Sequence, residues 1–167
     1  MLYNFCPASP EDGERIFQLV LERIAWMDAR GLHGWNDTGY LERYPLAYFR
    51  EAGRQGQLYL LLTPEGEAAG GVVLLEEDRR WDGYPSPPAF YIHNLVASVH
   101  RKGAGRAILQ AVEALARERG KTHSRLDCGR DNPALNRFYE SQGYVPAGEC
   151  TDGPYRGILR ETRLSVS

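Results

Sequence analysis

The stretch of this sequence best suited to binding chemistry is a short run of glycines and basic residues, which spans positions 100–106 and reads H-R-K-G-A-G-R. Glycines let a backbone turn tightly and come close to a ligand. Where a helix follows such a turn, its first N–H groups lack internal partners and the helix dipole favours an anion. Arg101, Lys102 and Arg106 add positive charge at the same place. The run therefore predicts a site for a phosphate or pyrophosphate.

The elements on either side of this run are predicted to be a buried strand and an amphipathic helix. Aromatic and β-branched residues are concentrated at positions 89–97, after a cluster of prolines, which is typical of a buried strand. From Ala104 onward, apolar residues recur at three- and four-residue steps until Gly120, which is typical of a helix that ends at a glycine. The anion site is therefore expected at a strand-to-helix turn.

Two nucleotide-binding motifs that use the same kind of turn do not fit this one. The pattern G-x-x-x-x-G-K-[ST] is absent, and the pattern G-x-G-x-x-G is not completed, because Leu109 lies near where a third glycine is needed. Taken by itself, the run is also compatible with a plain strand-to-helix turn that carries three solvated basic side chains.

The run resembles the pattern [Q/R]-x-x-G-x-[G/A] of the GNAT superfamily of acyl-CoA N-acyltransferases, although His100 stands at its first position. The resemblance implies that the turn wraps the pyrophosphate of coenzyme A and that the preceding strand holds the pantetheine arm by backbone hydrogen bonds. The residues implied to bind acetyl-CoA are Leu95, Val96, Ala97, Arg101, Lys102, Gly103, Ala104, Gly105, Arg106 and Asn132. The backbone N–H groups of residues 95–97 are also implied to stabilise the oxyanion.

A second segment, at positions 132–144, reads N-P-A-L-N-R-F-Y-E-S-Q-G-Y and looks like the family's N-x-x-A-x-x-[L/F]-Y-E-x-x-G-[F/Y] segment. Leu135 stands where alanine is common in the family. The resemblance implies that Tyr139 faces the thioester sulfur and acts as general acid, while a core aromatic is the alternative. Asn132, just before Pro133, also has the features of a helix N-cap.

The chain as a whole predicts an α/β fold with a mixed β-sheet flanked by helices, in the order β-α-α-β-β-β-α-β-α-β-β, which is that of the GNAT fold. Strands are predicted at residues 2–6, 58–63, 68–76, 89–97, 122–128, 144–150 and 155–164. Helices are predicted at residues 10–30, 40–52, 104–119 and 133–142. The strand at 122–128 is expected to run parallel to that at 89–97. Residues 78–88 are expected to form an irregular surface loop, and residues 1–167 one domain.

Acyl transfer to an amine requires a base, because a free alkyl amine has a pKa of ~10.4 and is protonated at neutral pH. His93 is the only imidazole in the 89–97 strand, and an ordinary pKa of ~6.5 makes it the candidate base. A hydrogen-bonded structural histidine is the alternative. Asp127 on the neighbouring strand could bind the acceptor ammonium, orient a water or pair with an arginine, and a water-mediated route is a further alternative. Cys128 has no evident His or acid partner, so it is interpreted as a buried thiol, and direct transfer is what the family resemblance implies.

The composition of the chain limits which partners and which cellular location are expected. The net charge is −2 and the charged residues, 25% of the chain, are of mixed sign, so nucleic acid binding has no electrostatic support. No apolar run is long enough to span a bilayer, and no leader is evident at the start, so no membrane partner and a cytoplasmic location are expected. The three cysteines form no C-x-x-C pair, so neither a disulfide framework nor a metal site is indicated. The closing strands are candidate contacts for a homodimer.

The resulting hypothesis is an acetyl-CoA-dependent N-acetyltransferase that acts directly on a primary amine of a small molecule or a protein. Aromatic and imidazole side chains expected near the acceptor are Trp26, His33, Trp35, Trp81 and Tyr84. They do not identify the acceptor. The alternatives are a non-catalytic acyl-CoA-binding sensor or regulatory module and a generic phosphate-binding α/β domain.

Overall fold

A computed structural model describes residues 2–165 of the chain. The strands are β1 Asn4–Pro7, β2 Leu58–Leu62, β3 Ala68–Leu75, β4 Ala89–Ala97, β5 His123–Gly129, β6 Val145–Asp152 and β7 Tyr155–Arg163. The helices are α1 Gly13–Ala29, α2 Tyr40–Arg43, α3 Leu46–Arg54, α4 Ala104–Glu118 and α5 Pro133–Ser141, with a 3₁₀ turn at Arg79–Trp81.

The strands form a mixed sheet in the order β1-β2-β3-β4-β5-β7-β6. β4 and β5 pair in parallel, as expected of two strands joined through the helix α4. The pairs β1–β2, β2–β3, β5–β7 and β7–β6 are antiparallel. The predicted α/β class with a mixed sheet is confirmed.

Two adjacent glycines in β3 show how helices come to cover both faces of the sheet. A Cβ on Gly70 would lie 2.6 Å from Cδ1 of Ile108 in α4, and one on Gly71 would lie 2.6 Å from Cγ1 of Ile16 in α1. Successive strand residues point to opposite faces. The helices α1 and α4 therefore pack on opposite faces of β3, and each uses the space that a missing side chain leaves.

The chain divides into two compact units, with boundaries inside β3, β4 and α4. The first consists of the chain through Leu74 together with Asn94–Ile108, and the second of Leu75–His93 together with the chain from Leu109 on. The most deeply buried side chains of the first unit include Ile16, Val20, Phe49, Leu58, Leu60 and Val72. A core cluster of the second unit comprises Trp81, Ala89, Tyr91, Cys150 and Leu159. The prediction of one domain over residues 1–167 stays a prediction.

The helix predicted at residues 40–52 is interrupted at Pro45. Residue Tyr44 leaves the helical region, with φ −127° and ψ 68°, and Pro45 becomes the N-cap of α3. A proline restricts the residue before it to extended conformations and cannot donate a helical hydrogen bond. The chain therefore forms two short helices here instead of one.

The first helix begins at Gly13, three residues after the predicted start. The N–H groups of Asp12 and Gly13 donate to the carbonyls of Ser9 and Pro10, which makes residues 9–13 a tight i to i+3 turn. The Ser9 hydroxyl accepts from the Asp12 N–H at 3.3 Å, and the Asp12 carboxylate accepts from the Ser9 N–H at 3.0 Å. Ser9 caps this turn, so the regular helix begins only after it.

The segment at residues 78–88 is not simply a surface loop. Trp81 is 4% exposed and packs in the core of the second unit, edge-on to Tyr91 at 6.0 Å between ring centroids. Burial of an indole ring of this size anchors the 3₁₀ turn that carries it. The prediction of an irregular surface loop was wrong for residues 78–81. No helix within residues 2–165 has the length and apolar character needed to cross a membrane.

Candidate active site

The predicted anion site, residues 100–106, consists of the end of the connection between β4, which stops at Ala97, and α4, which starts at Ala104, together with the first three residues of α4. Gly103 has φ +80°, a conformation that glycine adopts without the steric cost other residues meet. Within residues 2–165, the N–H groups of Gly103, Gly105 and Arg106 have no hydrogen-bond acceptor. Unpaired N–H groups at a helix start are suited to an anion. The binding of an anion at this turn stays a prediction.

The basic side chains around the turn differ in their surroundings. Lys102 and Arg106 are exposed. Arg101 donates from Nη2 to Oε2 of Glu67 at 2.6 Å, in a partly exposed ion pair. A pair of this kind contributes little to stability because solvent screens it. Arg101 could therefore exchange Glu67 for a phosphate at little cost.

An arginine that the sequence did not single out fixes the end of β4. Arg23 in α1 donates from Nη2 to the carbonyl oxygen of Ala97 at 2.7 Å. Its guanidinium also lies 4.8 Å from the ring centre of Trp26, which Arg30 approaches at 4.2 Å. Burial, followed by the nearby charge of Arg30, lowers the pKa of Arg23. Arg23 thereby ties the last residue of β4 to α1, directly before the anion turn.

Asn94 interrupts the regular conformation of β4. Its φ is +55°, the one positive φ of a non-glycine residue in the described part of the chain. Its side-chain Oδ1 accepts from the Tyr48 hydroxyl and its Nδ2 donates to the Tyr40 hydroxyl, each at 2.8 Å. A non-glycine residue keeps a left-handed conformation only where its surroundings enforce it. Two tyrosines of the first unit thus hold the backbone of β4 in an irregular shape just before Leu95.

Tyr40 and Tyr48 belong to a group of aromatic rings that pack against one another in the first unit. The ring of Trp35 stacks on Tyr40 at 4.3 Å, and Tyr44 lies 4.8 Å from both Tyr40 and Tyr48. Of the residues predicted near the acceptor, Trp35 belongs to this group. Trp26 is contacted by the guanidinium groups of Arg23 and Arg30, and His33 is exposed and paired with Asp37 at 2.5 Å.

The second unit contains a largely buried group of ionisable side chains around His93, which we name the His93 cluster. Its members are Asp78, Arg80, His93, Asp127, Asp152 and Tyr155. The side chains of Asp78, His93 and Asp127 are only 7%, 11% and 5% exposed. Buried charges of this kind require partners, since an unpaired one is costly.

Each carboxylate of the His93 cluster has such a partner. Nε2 of His93 lies 2.7 Å from Oδ2 of Asp78, whose Oδ1 accepts from the backbone N–H of Arg80 at 3.0 Å. The Arg80 guanidinium donates to both oxygens of Asp127, at 3.1 and 3.3 Å, and to Asp152 at 3.1 Å. The Tyr155 hydroxyl donates to Asp127 at 2.5 Å. Of the roles that the sequence left open for Asp127, pairing with an arginine is the one seen.

The electrostatics of the His93 cluster follow from these contacts. Burial raises the pKa of Asp78, but the hydrogen bond and charge of His93 and the Arg80 N–H outweigh it and lower the pKa overall. Burial, together with the neighbouring Asp127 carboxylate, raises the pKa of Tyr155 well above its ordinary value. At neutral pH, Asp78 is therefore an anion beside the imidazole, and Tyr155 is a neutral donor.

Three members of the His93 cluster also have the composition of a metal site. One ligand atom each of Asp78, His93 and Asp127 lies within 4.8 Å of the others. Those atoms already serve other contacts, because Nε2 of His93 faces Asp78 and both oxygens of Asp127 accept from Arg80. The guanidinium supplies the positive charge that a cation would otherwise bring.

Tyr139, the predicted acid, lies on α5 and is 7% exposed. Burial, followed by the proximity of Cys128 and Asp127, raises its pKa well above the ordinary tyrosine value, so it is protonated at neutral pH. Its hydroxyl has no hydrogen-bond partner in the described part of the chain. The hydroxyl hydrogen is therefore available for donation, but the raised pKa makes this phenol a weaker acid than an exposed tyrosine.

Cys128 is the buried thiol that the sequence predicts. Its Sγ donates to Oδ1 of Asn136 at 3.2 Å, and burial raises its pKa to about 11 against the opposing charge of Arg160. A thiol with such a pKa is a poor nucleophile at neutral pH. All three cysteines are free.

Asn132 takes the role of an N-cap. Its Oδ1 accepts from the Leu135 N–H at 3.1 Å, with Pro133 at the first position of α5. The helix therefore begins as the sequence predicts. The predicted contact of Asn132 with the cofactor stays a prediction.

Comparison with known proteins decides the family. The family model described as "Acetyltransferase (GNAT) family" matches residues 20–144, which is most of the chain. The chain belongs to this family. The resemblance noted at the turn and at α5 is thereby confirmed, and the protein is an N-acetyltransferase by family.

A relative and two solved structures agree with this assignment. The Bacillus subtilis (strain 168) protein named "Uncharacterized N-acetyltransferase YesJ" is 31% identical over 157 residues, covering 89% of this chain and 84% of YesJ. A GNAT-family acetyltransferase from Listeria monocytogenes 4b F2365 superposes with a TM-score of 0.80 at 21% identity, over 97% of this chain and 95% of that one. The PaiA N-acetyltransferase from Thermoplasma acidophilum, solved with coenzyme A, has a TM-score of 0.71 at 17% identity, over 98% and 99% of the two chains. At these identities, the two structures show the fold alone.

The sequence did not reveal most members of the His93 cluster. Asp78, Arg80, Asp152 and Tyr155 lie in a loop or on closing strands, and no spacing connects them with His93. The only indication in the local sequence was Trp81, because a large aromatic residue within a polar loop is often buried and then holds the neighbouring residues in place.

Proposed function

We propose that this protein is an acetyl-CoA-dependent N-acetyltransferase that transfers the acetyl group directly to a primary amine. The observation that carries the proposal is the turn before α4, where Gly103 has φ +80° and three N–H groups have no acceptor within residues 2–165. This arrangement fits the pyrophosphate of coenzyme A. Membership of the acetyltransferase (GNAT) family supports it.

In this proposal, the donor is held by the residues named from the resemblance. The backbone of residues 95–97 binds the pantetheine arm and stabilises the oxyanion, while residues 101–106 bind the pyrophosphate. Asn132 contributes a further contact. The fit at the turn is supported by Gly103, because a Cβ at this position would meet open space within 4 Å, which leaves room for a ligand beside the backbone.

The proton transfers are assigned to two side chains of the second unit. Acetyl-CoA supplies the thioester that is cleaved. His93 takes the proton that the acceptor amine loses, and Tyr139 donates a proton to the departing thiolate, whose pKa of ~8.5 makes it a leaving group that an acid assists. The charges therefore balance with an amide and a free thiol as products.

Direct transfer is favoured over a covalent acyl-enzyme by the state of Cys128. With a pKa of about 11, raised by burial, this thiol is almost wholly protonated at neutral pH. A cysteine nucleophile needs a lowered pKa or an adjacent base. The hydrogen-bond partner of Cys128 is the amide oxygen of Asn136, which is not a base.

The acceptor is a primary amine of a small molecule or a protein. The rings of Trp35, Tyr40 and Tyr44 pack against one another and Tyr40 is only 8% exposed, so they do not narrow the choice of acceptor.

The test is a thermal-shift series followed by an assay of thiol release. Acetyl-CoA and free coenzyme A should raise the melting temperature, since a ligand at a hundred times its Kd adds about 2.7 kcal/mol, whereas ATP and NAD should not. A pooled library of primary amines should then release thiol from acetyl-CoA. Stabilisation by coenzyme A without turnover of any amine would favour the acyl-CoA sensor, and stabilisation by ATP or NAD alone would favour the generic phosphate-binding domain.

Four further predictions rest on the sequence. A homodimer with contacts at the closing strands, the absence of a nucleic-acid or membrane partner, a cytoplasmic location and a single domain all stay predictions. Light scattering behind size-exclusion chromatography tests the first of them.

A further inference from the structure

We propose that Asp78 is a positioning residue that makes His93 the base for the acceptor amine. The inference rests on the proposed function, because it assigns a partner to the base of that reaction. It is carried by the 2.7 Å contact between Nε2 of His93 and Oδ2 of Asp78, two side chains that are 11% and 7% exposed. Asp78 lies in a loop fifteen residues before His93, and neither sequence motif includes it.

The contact selects one tautomer of the imidazole. A carboxylate only accepts hydrogen bonds, so Nε2 of His93 carries the proton that it shares with Asp78. Nδ1 then holds the lone pair, and it has no hydrogen-bond partner within residues 2–165. A neutral imidazole in this state is ready to accept a proton at Nδ1.

The orientation of Asp78 is itself fixed. Its Oδ1 accepts from the backbone N–H of Arg80 at 3.0 Å, as the N-cap of the 3₁₀ turn Arg79–Trp81. That turn is anchored by the buried ring of Trp81. The carboxylate is therefore held by one oxygen and presents the other to His93.

The remaining charges of the His93 cluster leave Asp78 as the carboxylate that acts on the imidazole. On β5, Asp127 is neutralised by two hydrogen bonds from Arg80 and a third from Tyr155 on β7. On β6, Asp152 accepts a hydrogen bond from the same guanidinium. Cys150, also on β6, is a neutral thiol, because burial raises its pKa to about 11. When His93 takes a proton, Asp78 stabilises the imidazolium as a paired charge.

The experiment compares the wild type with D78N, in which the amide keeps the cap on Arg80 but loses the negative charge. We expect kcat to fall about 10–100-fold, since a positioned base contributes 10²–10⁴-fold and an amide positions it only in part. The acidic limb of the kcat profile should move to lower pH, because removal of an anion disfavours the imidazolium. The KM for acetyl-CoA should not change. D78E should recover part of the loss.

E77Q is the matched control, because it makes the same kind of change at the neighbouring exposed carboxylate. It should leave kcat and its pH profile as in the wild type. If D78N behaves like E77Q in both respects, the positioning role is wrong. If the wild type binds acetyl-CoA but acetylates no amine, the proposed function fails instead, so the two failures are distinguishable.

Nitrogen-15 NMR of the imidazole keeps the inference testable even if D78N folds poorly. In the wild type at pH 8, His93 should be the Nε2–H tautomer, and a Nδ1–H tautomer would overturn the inference. Chelation with EDTA distinguishes the Asp78–His93 pair, which we call the dyad, from a metal site formed by Asp78, His93 and Asp127. Turnover that survives dialysis against EDTA supports the dyad, whereas turnover that is lost and then restored by Zn²⁺ overturns it.

Discussion

Burial keeps two side chains near the proposed site, Tyr139 and Cys128, in their protonated forms at neutral pH. Tyr139 and Cys128 both have raised pKa values because both are buried, and each is protonated at neutral pH. The consequence is opposite for the two chemistries. A protonated phenol can serve as an acid, whereas a protonated thiol cannot serve as a nucleophile.

Replacement of Tyr139 by phenylalanine tests the acid. We expect kcat to fall about 10²–10⁴-fold, the usual contribution of a positioned acid, with little change in the KM for acetyl-CoA. The melting temperature should change little, because the hydroxyl has no hydrogen-bond partner within residues 2–165. Steady-state kinetics and thermal unfolding measure the two effects.

Tyr144→Phe is the matched control, since this ring lies 6.2 Å from that of Tyr139. Its hydroxyl donates to Glu113 and bonds Ser124 at 2.9 Å, so its loss should cost about 1–3 kcal/mol of stability while kcat is kept. Equal losses of kcat in the two variants would show that Tyr139 acts through packing alone.

Replacement of Cys128 by alanine tests direct transfer. The variant should keep kcat within a few-fold of the wild type, although the lost packing should lower its stability by about 1 kcal/mol. Mass spectrometry of the wild type quenched during turnover should find no acetyl group on this cysteine. A variant that folds but is inactive, together with a labelled thiol in the wild type, would contradict direct transfer.

At the scale of elements, contacts from the first three helices shape the end of β4, where the donor is proposed to bind. Asn94 breaks the regular conformation of β4, and the hydroxyls of Tyr40 and Tyr48 hold its side chain. Arg23 ties the carbonyl of Ala97 to α1. Both contacts come from the N-terminal helical region, so α1–α3 fix the end of the strand that the family resemblance assigns to the pantetheine arm.

Gly103→Ala tests whether the turn before α4 binds the cofactor. A φ of +80° costs an alanine about 1–2 kcal/mol, and relief of this strain would rotate the N–H groups away from the anion. We expect the Kd for coenzyme A, measured by calorimetry, to rise at least tenfold.

Gly120→Ala provides the control at the other end of α4. Gly120 has φ +75° and, like Gly103, has no atom within 4 Å of a built Cβ. The two substitutions should therefore lower the free energy of unfolding by similar amounts, but only the one at Gly103 should weaken the binding of coenzyme A. Equal effects of the two substitutions on the Kd for coenzyme A would show that the pyrophosphate does not bind at this turn.

At the scale of the whole molecule, the buried ionisable groups predict how stability depends on pH. Burial raises the pKa of Cys128 and Cys150 to about 11, and that of Tyr139, Tyr144 and Tyr155 further above their ordinary values. A group whose pKa is higher in the folded state than in the unfolded state favours folding below its unfolded value. That stability is lost as the pH rises toward the folded value.

The free energy of unfolding should therefore fall as the pH rises from about 8.5, the ordinary pKa of a thiol, toward 11. The two thiols should account for part of this decline, because burial disfavours the thiolate in the folded state. Urea unfolding at pH 7.5, 9 and 10.5 measures the decline. The Cys128→Ala/Cys150→Ala variant should show a shallower decline, and an unchanged slope would contradict the assignment to these thiols.

Local pattern was sufficient to predict the framework of this protein. The periodicity of apolar residues, the helix-stopping Gly120 and the cap Asn132–Pro133 each act within a few residues, and β4, α4 and α5 lie where they indicated. The two family motifs are also continuous in sequence. For this reason the fold class and the family could be recognised before any tertiary structure was known.

Contacts between distant residues were decided only by the tertiary structure. Asp78 reaches His93 across fifteen residues, and Arg80 reaches Asp127 and Asp152 across 47 and 72. No local rule specifies such pairs, because they depend on where the 3₁₀ turn and the closing strands pack. The left-handed backbone of Asn94 is likewise enforced by Tyr40 and Tyr48 from another part of the chain. The sequence determined the elements and the family, whereas packing decided which charges meet and hence which proton each can hold.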